Sequence, residues 1–268
     1  RQGRGQRLAH KIMIIDTHTH LSDPRYSNVP ETLSAFKAFG GEFIIDVGFD
    51  KDSSLKAAEL ARKESNVYFA AGFHPSEEAK NNDYEAIEGL LDDEKCVAVG
   101  EIGLDYHYRG FDKRRQRELF ERQILLAHKK GLPFIVHSRD ASADMLETLS
   151  DNKNYLGKGF LMHCYSESKE QAMRYLDLGA YFAFGGAITF KNAKKDDVVK
   201  ALPVDRIMAE TDCPYMTPEP FRGEINEPKN VIYVYRKLSE ILDFDIEELS
   251  EIIRSNVKRL FYKLKVDS

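Results

Sequence analysis

Six residues of metal-binding type stand at the ends of short apolar runs. His18 and His20 follow Ile12–Ile15, Glu101 follows Cys96–Val99, and His137 follows Pro133–Val136; His163 follows Phe160–Met162 and Asp212 follows Arg206–Ala209. Side chains two apart on a strand face the same way, so the His18 and His20 rings can reach one ion. A lone His-x-His pair is commonplace, and a single His after a strand is usually a hydrogen-bonded structural residue. A carboxylate beside a packed core, however, needs a partner or an ion. Six such groups at five strand ends point to a shared metal centre. Imidazole and carboxylate without thiolate suit Zn, Mn, Ni, Fe or Mg, and four imidazoles favour a borderline metal over Mg. Two divalent ions held there would outweigh the two carboxylates and leave a positive site fit for an anionic phosphate. Such a pair can stabilise both the attacking and the leaving oxygen of a displacement. Cys164 and Cys213 neighbour His163 and Asp212. Strand alternation turns both thiols away from the ions.

The elements that must gather these residues are legible as a repeat. Phe43–Val47, Val67–Ala71 and Tyr181–Phe184 bring the apolar runs to eight. Short unbroken runs read as strands buried on both faces, as in parallel sheets. Helical spacing lies between most of them: Leu55-Ala58-Leu60-Ala61, then Leu119-Phe120-Gln123-Ile124-Ala127 closing near Gly131-Leu132-Pro133, then Ala172-Tyr175-Leu176. Val231–Leu264 continues the periodicity as the last outer helices. Eight strand–helix units predict an α/β chain folded as a closed TIM (β/α)8 barrel, whose catalytic groups come from the C-terminal strand ends. A doubly wound open sheet would usually carry a Gly-rich turn after the first strand. Here that strand runs into Asp16-Thr17-His18-Thr19-His20.

Composition agrees. At 268 residues the chain matches one barrel of about 250. Its net charge of −5 argues against a broad basic nucleic-acid surface, though not against a nucleic acid held locally by ions. Three cysteines, widely spaced and without a CxxC pair, fit a reducing cytoplasm rather than a disulfide framework. No run approaches the roughly 20 apolar residues of a membrane span. Residues 1–12 are basic and Gly/Gln-rich and read as a tag or disordered tail. Met13 reads as the natural start, and 13–268 as one hydrolase domain.

The motifs together resemble those of the TatD family of metal-dependent deoxyribonucleases. They are Asp16-Thr17-His18-Thr19-His20, Gly72-Phe73-His74-Pro75, Gly100-Glu101-Ile102-Gly103-Leu104-Asp105-Tyr106, His137-Ser138-Arg139-Asp140-Ala141, His163-Cys164-Tyr165-Ser166 and Glu210-Thr211-Asp212-Cys213-Pro214-Tyr215, in order from about Met13 onward. The resemblance implies a TIM barrel of the amidohydrolase-like group, a monomer, and two-metal hydrolysis of DNA phosphodiesters, 3′–5′ exonuclease-like. By carry-over His18, His20 and Asp212 bind one ion, Glu101 bridges to the second, and His137 and His163 complete it. Asp212 would also orient the attacking water and take its proton. His74 and Arg139 are candidate phosphate contacts, and Arg222, with Asn226-Glu227-Pro228, falls in a late substrate loop. Ser76 and Glu77 after Pro75, Cys213 and Tyr215 depart from the family's commoner residues, which leaves the substrate contacts open. An amidohydrolase, lactonase or phosphotriesterase is the alternative enzyme, but such relatives often bridge their ions with a carboxylated Lys where this chain has Glu101. A non-catalytic module with structural zinc is the third reading. Structural zinc sites are usually closed by four protein ligands, often Cys, whereas this set is spread over five strand ends.

Overall fold

The computed structural model describes residues 12–265. Its elements run β1 (Ile14–Thr19), α1 (Val29–Ala38), β2 (Gly41–Val47), α2 (Lys51–Lys63), β3 (Val67–Ala71), α3 (Asn81–Leu90), β4 (Cys96–Asp105), α4 (Lys113–Lys130), β5 (Phe134–Arg139), α5 (Ser142–Asp151), β6 (Phe160–Met162), α6 (Lys169–Asp177), β7 (Ala180–Phe184), α7 (Asp196–Ala201), β8 (Ile207–Ala209), α8 (Val231–Leu242) and α9 (Ile246–Leu260). All eight strands pair in parallel with their sequence neighbours, in the order β1 to β8. The sheet closes where β1 meets the segment after β8. There the Asp212 N–H donates to the His18 carbonyl (2.9 Å) and the His20 N–H to that of Cys213 (2.8 Å). This is a barrel, not an open doubly wound sheet.

Helix boundaries follow local chemistry. Asp50 and Ser53 form a reciprocal capping box on α2. Asp112 caps α4 by accepting from the Arg115 N–H, and Gly131 ends it with a left-handed φ of 65°. The expected α2 face is corrected in one place: Leu55 is 45% exposed. The packing face is the small-residue set Ser53, Ser54, Ala57, Ala58 and Ala61, which lets the helix approach the sheet closely. Ile12, counted with the tail as well as with strand one, packs against the core. The rest of the expected tail, residues 1–11, lies outside the described residues. Among the described residues, no helix is long and apolar enough to cross a membrane.

Two register shifts bear on the mouth of the barrel. One lies between Asp16 and Thr19 in the β1–β2 pair, the other between Val99 and Ile102 in β4–β5. Bulges of this kind re-aim side chains beside functional sites, and these flank His18 and Glu101. β4 does not end at Glu101, as its apolar run implied, but continues to Asp105. Gly103 makes the continuation possible. Its φ is +147°, and a Cβ there would lie 2.0 Å from the His137 carbonyl oxygen. Gly103→Ala is therefore expected to cost about 3 kcal/mol or more, read as a lower denaturation midpoint. An unchanged midpoint would show that β5 can give way.

Candidate metal centre

The six side chains singled out above meet at the C-terminal mouth. Nε2 of His18 and Nε2 of His20 lie 3.2 Å apart. Glu101 Oε2 lies 3.4 Å from the first and 3.8 Å from the second, and Asp212 Oδ1 lies 3.9 and 3.4 Å away, respectively. Zinc–ligand bonds near 2.0–2.1 Å imply ligand–ligand edges of about 3.3–3.4 Å in a tetrahedron, so His18 and His20 with either carboxylate have roughly the spacing of one ion's shell. The other carboxylate oxygen, Glu101 Oε1, lies 2.7 Å from His137 Nδ1 and 2.9 Å from His163 Nε2. Glu101 thus turns one oxygen to each histidine pair. His18, His20 and Glu101 lie within the mutual reach of ligands to one cation, as do Glu101, His137 and His163, and Asp212 does so with His18 and His163, so the residues present fit divalent metal.

Partners behind the rings fix their orientation. The His20 Nδ1–H donates to the Val47 carbonyl at 2.8 Å, leaving Nε2 as the lone pair aimed inward. Asp46 clips the same turn by accepting from the Leu21 N–H (2.7 Å) and the Thr19 hydroxyl (3.1 Å). Asp16, also buried, accepts from the Thr211 N–H (2.9 Å) and hydroxyl (2.6 Å), tying the His18 strand to the Asp212 segment. Glu210 Oε1 lies 3.4 Å from His163 Nδ1 and accepts from the Cys164 N–H at 2.5 Å. His137 Nε2 faces Asp105 Oδ2 at 2.9 Å.

The electrostatics favour positive charge here. Burial opposes ionisation of Glu101, but His163, His137 and His18 around it hold its carboxyl well below the usual range. Burial likewise opposes a charged His20, yet Asp212 and Glu101 raise it to about 9. His163 and His137 are raised against burial too, the first chiefly by Glu101 and Glu210, the second by Asp105 and Glu101. His18, the most enclosed, is lowered by burial and by the neighbouring His163. A cation entering this site must displace protons, so affinity is expected to weaken as pH falls below about 9. The loss is about tenfold per pH unit for each proton displaced. In chelator-treated protein the sign reverses. A raised His20 stabilises fully below its ordinary value of 6.5, and that contribution is lost as pH rises through about 9. Melting temperatures from pH 6 to 10, with and without zinc, would check both; pH-independent affinity would remove the linkage.

The other expected contacts occupy the surrounding cavity of about 960 Å³, which His74, Arg139 and Arg222 all line. His74 sits beside His137 with ring centroids 4.4 Å apart. Its Nδ1 lies 2.8 Å from the Ser76 hydroxyl and 3.2 Å from the Ser76 N–H. Burial, with His137 adding, lowers it to about 4, so it is neutral at pH 7. Arg139 and Arg222 are exposed, stacked over Tyr108 (5.6 Å) and Phe190 (4.2 Å). Cys213 is buried away from the cavity as expected, but Cys164 is not. It lines the cavity, within ligand reach of His163 and Glu210. β6 ends at Met162, and Cys164 adopts a left-handed φ of 48°, so strand alternation no longer governs it. Asp105 and Glu210 were not singled out from the sequence. A usable signal was present, since they lie four residues after Glu101 and two before Asp212, at the spacing that shares a strand face.

The match to known proteins agrees with this geometry. The model of the family described as TatD related DNase matches residues 15–262. The metal-dependent hydrolase YabD of Bacillus subtilis is 41% identical over 253 residues, covering 93% of this chain and 99% of that protein. YcfH of Escherichia coli, also a metal-dependent hydrolase, is 35% identical over 256 residues, or 94% and 96% of the two chains. The crystal structure of the TatD homologue YJJV from Escherichia coli superposes with a TM-score of 0.88 at 32% identity, over 93% of this chain and 98% of that one. The chain belongs to the TatD-related DNase family of metal-dependent hydrolases.

Proposed function

We propose that the protein is a two-metal phosphodiesterase acting on DNA. The observation that carries this is Glu101, whose Oε2 faces the His18–His20 pair and whose Oε1 faces the His137–His163 pair. His18, His20 and Asp212 would hold one ion and His137 and His163 the other, with Glu101 shared. Bound there, divalent ions supply Lewis acidity toward a phosphoryl oxygen and acidify a water. The chain's own residues do the rest. Asp212 is held in its charged form by His20, His163 and His18 despite burial, and can orient that water and accept its proton. His74, neutral and on the cavity wall beside His137, is placed to contact a phosphate oxygen. Arg139, Arg222, Lys191 and Lys195 place cations on the cavity wall of a chain that is acidic overall, and Tyr108 and Tyr215 are exposed aromatic faces beside them. Cations for phosphates and rings for bases are what a nucleic-acid strand requires.

The test is metal-dependent release of nucleotides from single- and double-stranded DNA, run beside bis-p-nitrophenyl phosphate and a panel of lactones and amides. Release with Mn or Mg is expected, with little turnover of the lactones. Faster hydrolysis of lactones or amides would reassign the site to carboxylic-acid derivatives, and no hydrolysis of any substrate with ions bound would leave a binding module. We read the working form as a monomer. The three free cysteines suit the reducing cytoplasm.

A further inference from the structure

Two glutamines of α4 stand out. Gln116 and Gln123 lie two helical turns apart, and both are buried. A buried amide is costly unless its donor and acceptor are satisfied. Each satisfies them on one backbone residue. Gln123 Oε1 accepts the Phe73 N–H (2.8 Å), and its Nε2 donates to the Phe73 carbonyl (3.0 Å). Gln116 does the same to Asp105, at 2.8 Å in both directions. This is the pairing a neighbouring strand would offer, supplied where β3 has ended at Ala71 and β4 runs on to Asp105.

The Asp105 bracket leads into the metal centre. Asp105 Oδ1 accepts the His107 N–H (2.9 Å), and Oδ2 faces His137 Nε2 (2.9 Å). The opposite ring nitrogen, Nδ1, faces Glu101. A neutral imidazole carries one proton, and the partner on one nitrogen decides which nitrogen is left bare. We propose that Asp105, clamped by Gln116, is the positioning residue of His137: it holds the proton on Nε2 and presents the Nδ1 lone pair to a divalent cation beside Glu101. This rests on His137 being a ligand of the second ion. The rival arrangement is a third cation among His74, Asp105 and His137, whose donor atoms lie within mutual reach. It would require His137 to lose its proton from both nitrogens, and Asp105 already uses Oδ1 on a backbone amide.

The test uses the full chain loaded with zinc, whose stoichiometry and two dissociation constants are measured by chelator competition, and whose His137 Nε2–H is followed by NMR. In wild type two zincs and one slowly exchanging His137 N–H resonance are expected. Asp105→Asn should weaken the second zinc about 10–100-fold, spare the first, and abolish that resonance. Gln116→Leu should move the same constant in the same direction. Gln123→Leu loses an equal pair of hydrogen bonds, against Phe73, and should leave both constants in place. Equal weakening by the two glutamine variants would mean general loosening and overturn the proposal. So would unchanged affinity in Asp105→Asn, or a third zinc in wild type that Asp105→Asn removes. Two bound zincs with an indifferent Asp105 would sink this inference alone, whereas a wild type that binds no zinc would take the metal reading down with it.

Discussion

Replacing Glu101 with glutamine is expected to lower kcat/KM by about 10³-fold or more, and to leave fewer than two ions bound per chain. The magnitude follows from the several kcal/mol that ion polarisation contributes to a displacement, at 1.36 kcal/mol per decade. The reason is the symmetry of the carboxylate. Oε2 serves His18 and His20, while Oε1 serves His137 and His163. An amide has the same shape but one acceptor and one donor, so it can serve only one side. The change also has a signature without metal. Glu101 is a leading cause of the raised His163 and contributes to the raised His137, so both should titrate lower in the chelated variant. Glutamine with two tightly bound ions and full activity would show that the second carboxylate oxygen has no part in catalysis.

What the sequence could and could not convey separates along the line of burial. Strands β3 and β6 were legible to the residue, because a strand buried on both faces is an unbroken apolar run. The apolar run of β4, Cys96–Val99, stops six residues short of its end, because the continuation through Gly100-Glu101 to Asp105 carries polar groups into a mouth that apolar patterning cannot see. His18, His20, Glu101, His137, His163 and Asp212 could be named because each follows a short apolar run and the barrel collects the C-terminal sides of those runs in one place. Asp105, Glu210 and Asp16 occupy the same faces but touch the ligand-bearing segments from behind, and a carboxylate's partner is not written in its spacing. Gln116 and Gln123 were harder still. Gln123 falls among the apolar residues of the α4 face, but that pattern does not name what its amide or that of Gln116 would bond, and only the closed fold shows each bracketing one backbone residue. Cys164 shows the limit of the alternation rule, which holds only while the strand does.

Asp212→Asn is expected to lower kcat by about 10²–10⁴-fold with KM nearly unchanged, the range for loss of a positioned acid–base group. Asparagine keeps an oxygen where Asp212 Oδ1 faces His20 and His18, so ion affinity should fall far less than rate. Asp212→Ala removes that oxygen as well and should lose both, with the barrel still folded, since closure at this point uses the Asp212 main-chain N–H rather than its side chain. The ratio of the two variants separates holding an ion from accepting a proton. Stability supplies an independent sign. The Asp212 carboxyl is lowered, against burial, by His20, His163 and His18. Its stabilising contribution is therefore complete above the ordinary carboxylate value and lost as pH falls through its depressed one. In chelated protein Asp212→Asn should accordingly cost stability at pH 7 and progressively less toward strong acid. Wild-type kcat in either variant would end the role of Asp212 as proton acceptor. Equal loss of rate and ion affinity in Asp212→Asn would reduce the residue to a ligand and leave the water's proton to some other group at the mouth.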